Sequence, residues 1–179
     1  MDHFAEQLVK KINTGKDNMK RALIIAAAIL LSLLSVILTL MGYPLALILP
    51  VCAVWAAWYF LRMQNVEYEY SCTNGELDID KILGQDKRKP MLSVNVGSFT
   101  IFGKAGQIEE TDADMTTFSA MGLSLMGEED ENDNTAYYAE FDHPEHGKCC
   151  LYFNPDARMR EAMEPYFSRD LRRRLGGKL

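Results

Sequence analysis

Between Arg21 and Arg62 the sequence carries no charged residue. That absence excludes an ordinary soluble domain over this stretch, because no solvent-exposed helix face can be built from it. Cysteine is scarce: only Cys52, Cys72, Cys149 and Cys150 occur. Cys52 lies in the uncharged stretch, and adjacent Cys149 and Cys150 point to opposite faces of any strand. A disulfide framework is excluded, and a reducing compartment is the simpler setting. Also missing are a phosphate-cradling glycine loop, a dinucleotide fingerprint, a serine elbow and paired Cys-x-x-Cys motifs. No nucleotide or redox cofactor is therefore expected, and no catalytic role follows from motif.

The uncharged stretch divides into two runs. Ala22–Met41 is long enough to span about 30 Å of hydrocarbon as a helix. Ser32, Ser35 and Thr39 within it can bond to their own helix or to a neighbour. Gly42-Tyr43-Pro44 is a turn, and Leu45–Leu61 forms the second run, with a bend expected at Pro50. Trp55, Trp58, Tyr59 and Arg62 form an interfacial belt at its end. Residues 22–61 thus read as a transmembrane hairpin contacting lipid. A cleaved secretory signal fits poorly, since the first run is too long and a second follows at once.

The net charge of −6 is unevenly spread. Before Ala22, Lys10, Lys11, Lys16, Lys20 and Arg21 outnumber Asp2, Glu6 and Asp17; the acidic excess lies after Leu61. The basic segment 1–21 favours retention on the cytoplasmic side, and a hairpin returns the chain there. Both termini are expected in the cytoplasm, at the plasma membrane. Phe4, Leu8 and Ile12 recur every four residues, so segment 1–21 reads either as a short amphipathic interfacial helix ending near Gly15 or as a frayed tail.

Residues 64–179 are read as a soluble domain. Val66, Tyr68, Tyr70 and Cys72 alternate with polar residues, then Asn74-Gly75 signals a tight hairpin turn, and Leu77, Ile79 and Ile82 continue on a second strand. Gly84–Lys87 is the next turn, and Met91–Val96, Phe99–Phe102, Ala136–Phe141 and Lys148–Phe153 read as further strands. The chain ends in a helix over 155–174, capped by Asn154 and Pro155 and kinked at Pro165. Its apolar stripe is Met159, Ala162, Met163, Tyr166, Phe167 and Leu171. Arg169 and Arg172–Arg174 complement its negative end.

Strands followed by one closing helix form a recognisable order. The segments YEYSCTNGELDIDKIL (Tyr68–Leu83) and LYFNPDARMREAMEPYF (Leu151–Phe167) resemble the pleckstrin-homology-like (PH-like) domains of bacterial membrane proteins. With the preceding hairpin, the chain is also similar to small two-helix membrane proteins of clostridial-type bacteria. The resemblance implies a membrane-anchored α+β protein: a transmembrane hairpin, then an antiparallel sheet or barrel closed by a C-terminal helix. It implies interaction or scaffolding rather than catalysis; exposed sheet edges and Tyr137, Tyr138 and Tyr152 are the candidate contacts for a protein partner or a second copy. Members that bind lipid carry basic residues in the first hairpin loop, whereas here that loop is Asn74-Gly75.

Four groups offer more specific chemistry. His143, His146 and Cys149 have a spacing that could supply metal ligands for an enzyme or sensor, with Asp142 or Glu145 as a fourth. Glu128, Glu129, Asp130, Glu131 and Asp133 could attract calcium but lack the alternating spacing of a calcium loop. Asp78 and Asp80 share a strand face as a carboxylate pair. Lys87, Arg88 and Lys89 could contact anionic headgroups. The acidic domain argues against nucleic acid. Service as an accessory subunit of a transport or secretion complex is a further alternative, with no membrane-embedded charge to form a path.

Overall fold

The computed structural model describes residues 4–106, 115–124 and 135–176. Strands are β1 (Phe4–Lys10), β2 (Val66–Thr73), β3 (Glu76–Leu83), β4 (Lys87–Asn95), β5 (Phe99–Lys104), β6 (Thr116–Ser119), β7 (Leu123–Ser124), β8 (Tyr137–His143) and β9 (Gly147–Phe153). Helices are α1 (Gly15–Leu40), α2 (Ile48–Met63), α3 (Ala157–Met163) and α4 (Arg169–Leu175). They divide into two compact units. One comprises Asn13–Val66 with Leu83–Gln85, and the other comprises Met1–Ile12, Glu67–Ile82 and Asp86–Leu179.

In the helical unit, α1 begins earlier than its apolar run. The Asp17 carboxylate accepts from the backbone N–H of Thr14 at 3.1 Å and from its hydroxyl at 3.0 Å, fixing the helix start in polar sequence. At the other end Gly42 takes φ +98°, and a 3-10 turn over Pro44–Leu47 leads into α2. Pro50 lies in the first turn of α2, so the missing N–H does not bend the helix interior. Pro50 cannot donate to the carbonyl of Ala46; the hydroxyl of Ser35, fully buried, donates to that oxygen at 2.6 Å. Ser32 and Thr39 bond back to Ala28 and Ser35 of their own helix, at 2.8 and 2.9 Å.

Both helices are long and apolar enough to cross a membrane, and only 6% of each span is buried. Leu30, Leu40, Leu45, Val51 and Trp55 all stand exposed. A core helix of a soluble protein would cover these side chains, since exposed apolar area costs about 25 cal/mol per Å² in water.

In the sheet unit, β4-β3-β2-β1-β7 form one sheet and β5-β8-β9-β6 a second. β8 pairs antiparallel with β5 and β9, whereas β6 runs parallel to β9. The Asn74-Gly75 turn forms as expected, with φ +51° and +85°. The ring of Tyr166 closes over it, so that a Cβ on Gly75 would lie 2.5 Å from that ring. Tyr70 of the first sheet meets Phe153 of the second edge-on at 5.8 Å. Phe102 stacks on Tyr137 and touches Phe153 and Phe167, with ring centres 5.0–6.3 Å apart.

The first correction concerns the N-terminus. Residues Phe4–Lys10 are not an amphipathic helix but β1, paired antiparallel to β2 from Phe4↔Thr73 to Lys10↔Glu67. The four-residue recurrence of Phe4, Leu8 and Ile12 misleads, because Phe4 and Ile12 are exposed. The inward set is Ala5, Gln7 and Val9, a period-two pattern disguised by a polar middle member. Gln7 is only 1% exposed. Its Nε2 donates to the Asn154 carbonyl at 2.9 Å, and its Oε1 accepts from the Asp156 N–H at 2.9 Å. The Asn154 side chain accepts from Gly122 N–H at 3.0 Å, and the Tyr70 hydroxyl donates to the Ala120 carbonyl at 2.5 Å. One buried polar network thus ties β1, β2, the segment before β7 and the entry to α3. The sheet domain therefore does not start after the hairpin: it includes a strand that precedes it.

The second correction concerns the C-terminus, where the single helix over 155–174 is two. Asp156 rather than Asn154 caps α3, accepting from Met159 N–H at 2.7 Å, because Asn154 is engaged by Gln7 and Gly122. At Pro165 the chain passes through a 3-10 turn, and Ser168 caps α4 by accepting from Leu171 N–H at 3.2 Å. Met159, Ala162, Met163, Phe167 and Leu171 are buried; Tyr166 instead covers the Asn74-Gly75 turn.

Candidate functional site

The polar face of the first sheet forms one wall of a cleft of about 780 Å³. On β3, Leu77 and Ile79 point into the core with no exposure, so Asp78 and Asp80 alternate onto the opposite face. Glu6 of β1 and Glu69 of β2 line the same cleft, as does Arg88 of β4. The β8–β9 turn supplies His143, Glu145 and His146. Two groups that are separate in sequence, the Asp78/Asp80 pair and the histidine turn, are thereby brought together.

Arg88 forms an ion pair with Glu69, N to O at 2.5 Å. Glu69 nevertheless has its carboxyl pushed above the usual carboxylate range. Burial is the main cause, a hydrogen bond with Glu6 and the charges of Glu6 and Asp80 add to it, and Arg88 opposes it. The histidine rings stack with centres 4.9 Å apart, and His143 Nδ1 accepts from Glu145 N–H at 3.2 Å.

Cys149 does not join the histidines. It is fully buried on β9, its thiol donates to the Gly147 carbonyl at 3.4 Å, and burial followed by Cys150 and Asp142 pushes its pKa up. Among the described residues no group of three or more His, Cys, Asp or Glu is arranged to hold a metal ion. The His143/His146/Cys149 centre is therefore not assembled: strand pairing turns Cys149 into the core while the turn holds the histidines at the cleft.

Lys87, Arg88 and Lys89 are not in a turn. They begin β4, exposed, because the turn is completed by Gly84 and Gln85 at φ +61° and +66°. Tyr137 and Tyr138 are buried rather than available for docking, and Tyr152 is half-buried. The Tyr138 hydroxyl donates to Glu140 at 2.6 Å, and burial with that acceptor pushes its pKa up. Arg172 donates to the carbonyls of Glu164 and Pro165, so it holds the preceding turn. The acidic stretches Glu109, Glu110, Asp112, Asp114 and Glu128–Asp133 lie outside the described residues.

At the end of the hairpin Trp55 stacks on Tyr59 with ring centres 6.0 Å apart, and the Arg62 guanidinium lies 5.5 Å from the Trp58 ring centre. Arg62 Nε also donates to the Gly84 carbonyl at 3.1 Å. The spacing of Asp78 and Asp80 in the sequence indicated their shared face. Nothing local indicated Glu6, whose place in the cleft depends on β1 joining the sheet.

No curated protein and no solved structure matches the chain. The family described as a bacterial PH-like domain, DUF6106, matches residues 1–173, which takes in β1, the helical hairpin, both sheets and most of α4. The chain belongs to the bacterial PH-like domain family DUF6106.

Proposed function

We propose that this is an integral membrane protein that presents a PH-like interaction domain on the cytoplasmic side, where the acidic cleft docks a basic segment of a protein partner. One observation carries the reading. β1 and β2 flank the hairpin in sequence and are hydrogen-bonded neighbours from Phe4↔Thr73 to Lys10↔Glu67. A chain that crosses a membrane twice between paired strands must leave and return on one side. The basic residues Lys10, Lys11, Lys16, Lys20 and Arg21 favour the cytoplasm as that side. Glu6, Asp78, Asp80 and Glu145 outnumber Arg88 around the cleft, which favours a cationic occupant. A domain tethered to the hairpin through two of its strands suits scaffolding at a membrane.

The test is in-membrane photocrosslinking from Ser93, which lines the cleft, compared with a site on α4, followed by mass spectrometry. A partner captured from Ser93 through a Lys/Arg-rich segment, and lost in Asp78→Asn/Asp80→Asn, supports the reading. Equal capture from both sites, or capture that ignores the carboxylates, would overturn it.

A further inference from the structure

Strand β4 ends the order of its sheet, so among the described residues one of its backbone edges has no strand beside it. Such an edge is a template for pairing with another chain. The first half of β4 is protected in the ways that edge strands usually are. Lys87, Arg88 and Lys89 are exposed and charged, and Pro90, also exposed, has no N–H to offer an added strand. Residues 91–95 carry neither a charge nor a proline.

The unprotected half is the half that borders the acidic cleft. Met91, Leu92 and Ser93 follow one another, and all three line it. Successive side chains of a strand point to opposite faces, and Leu92, only 6% exposed, points into the core. A cleft that touches all three therefore runs along the edge of β4 as well as over the outer face of the sheet. On that outer face Ser93 is short and exposed, and Asp78 and Asp80 stand on β3, the next strand inward. A strand added to β4 would lie two inter-strand spacings from β3, about 10 Å. A long cationic side chain lying over the serine brings its charged head toward those carboxylates. Glu145 of the β8–β9 turn borders the same space, while Arg88 is already paired with Glu69.

We propose that the cleft takes its occupant as an added β-strand: an extended segment of a partner protein, hydrogen-bonded to residues 91–95 of β4, with Lys or Arg at alternate positions directed at Asp78 and Asp80. Main-chain pairing supplies affinity, and the side chains of one alternate set supply specificity. A basic helix would leave the free edge unused, because its backbone donors are satisfied within the helix. The inference rests on the reading of the cleft as the dock for a basic segment, and adds the conformation and residue pattern of that segment.

The experiment is fluorescence anisotropy with the full chain in a neutral detergent. The probe is a labelled nine-residue peptide in which threonine and lysine alternate, compared with a permuted peptide whose lysines are contiguous. We expect the alternating peptide to bind about tenfold more tightly. Methylating the backbone nitrogens of one alternate set of its residues should abolish binding, and methylating the other set should leave it, because only one set faces β4. Ser93→Lys, a change at an exposed position that puts a cation in the path to Asp78 and Asp80, should weaken binding by about tenfold or more. Binding that tolerates both methylated peptides, or is lost with both, would overturn strand addition, as would equal or tighter binding of the permuted peptide. Asp78→Asn/Asp80→Asn separates this inference from the reading beneath it. Binding indifferent to that change, or no saturable binding at about 1 mM peptide, would end the docking reading and the added strand with it. Binding that needs the carboxylates but ignores the methylation pattern would end the added strand alone.

Discussion

The two units treat polar groups in opposite ways. In the helical unit the apolar side chains face outward, and the hydroxyls of Ser32, Ser35 and Thr39 are bonded along or between the helices. Ser35 is the clearest case, buried and bonded to the carbonyl that Pro50 leaves without its usual donor. In the sheet unit the apolar side chains face inward, yet the same interior holds Gln7 and Asn154, joined with Asp156 in a bonded network. The difference teaches that buried polarity follows the solvent. On the reading of the hairpin as membrane-embedded, polar groups surrounded by hydrocarbon must be answered internally, so few are admitted. Where water surrounds the chain, a small satisfied network can specify how distant segments meet.

The largest effect that would break this comparison comes from removing β1. Deleting residues 1–12 should leave the sheet unit without a cooperative fold, because β1 separates β2 from β7 in the sheet. By contrast, joining Ile12 to Val66 through an Asn-Gly turn, without the hairpin, should restore the fold, since Lys10 and Glu67 are already paired. Near-ultraviolet circular dichroism and amide dispersion in NMR spectra distinguish the two. Folding of the deleted chain would show that β1 is an accessory strand.

Next in size is Gln7→Leu. It leaves the Asn154 carbonyl and the Asp156 N–H without their partner, each buried. A loss of about 2–4 kcal/mol is expected from two unsatisfied groups, read as a shift in the denaturant midpoint of the spliced domain. Ser35→Ala makes the matching change in the hairpin and should cost about 1 kcal/mol, the usual worth of such bonds between helices in bilayers. Reversible unfolding of the full chain in mixed micelles measures it. If the two losses were equal, solvent would not be the variable that separates the units.

The smallest expected effect is a slope. Glu69 has a folded pKa above its unfolded value, so the folded state holds its proton more tightly. Its contribution is fully present below about pH 4, near the ordinary carboxylate pKa, and is lost as pH rises through the raised value. Glu69→Gln should flatten that part of the stability profile of the spliced domain. An unchanged slope would place the effect on another carboxylate of the cleft.

Much of the architecture was legible along the chain because it depends on local chemistry. The absence of charge from Ala22 to Leu61 marks the hairpin, and the Asn74-Gly75 turn with alternation on either side marks β2 and β3. The kink expected at Pro165 became a full break because Ser168 offers a second cap three residues later. The cleft was half legible: alternation put Asp78 and Asp80 on one face, but their meeting with the histidine turn depends on two sheets packing. Tyr137 and Tyr138 were misjudged since both faces of β8 are covered, which periodicity along one strand does not report.

By itself, then, the sequence determined where charge is absent, where the chain must turn and which residues share a face. These are properties of a residue and its near neighbours, governed by side-chain transfer energy and backbone sterics. Only the tertiary structure decided that Phe4–Lys10 is a strand, that Gln7 is a core residue and that the hairpin is an insertion between paired strands. A seven-residue segment with a polar centre has no strong preference of its own. Its conformation is set by hydrogen bonds to Thr73 through Glu67 and to Asn154 and Asp156, partners far removed along the chain.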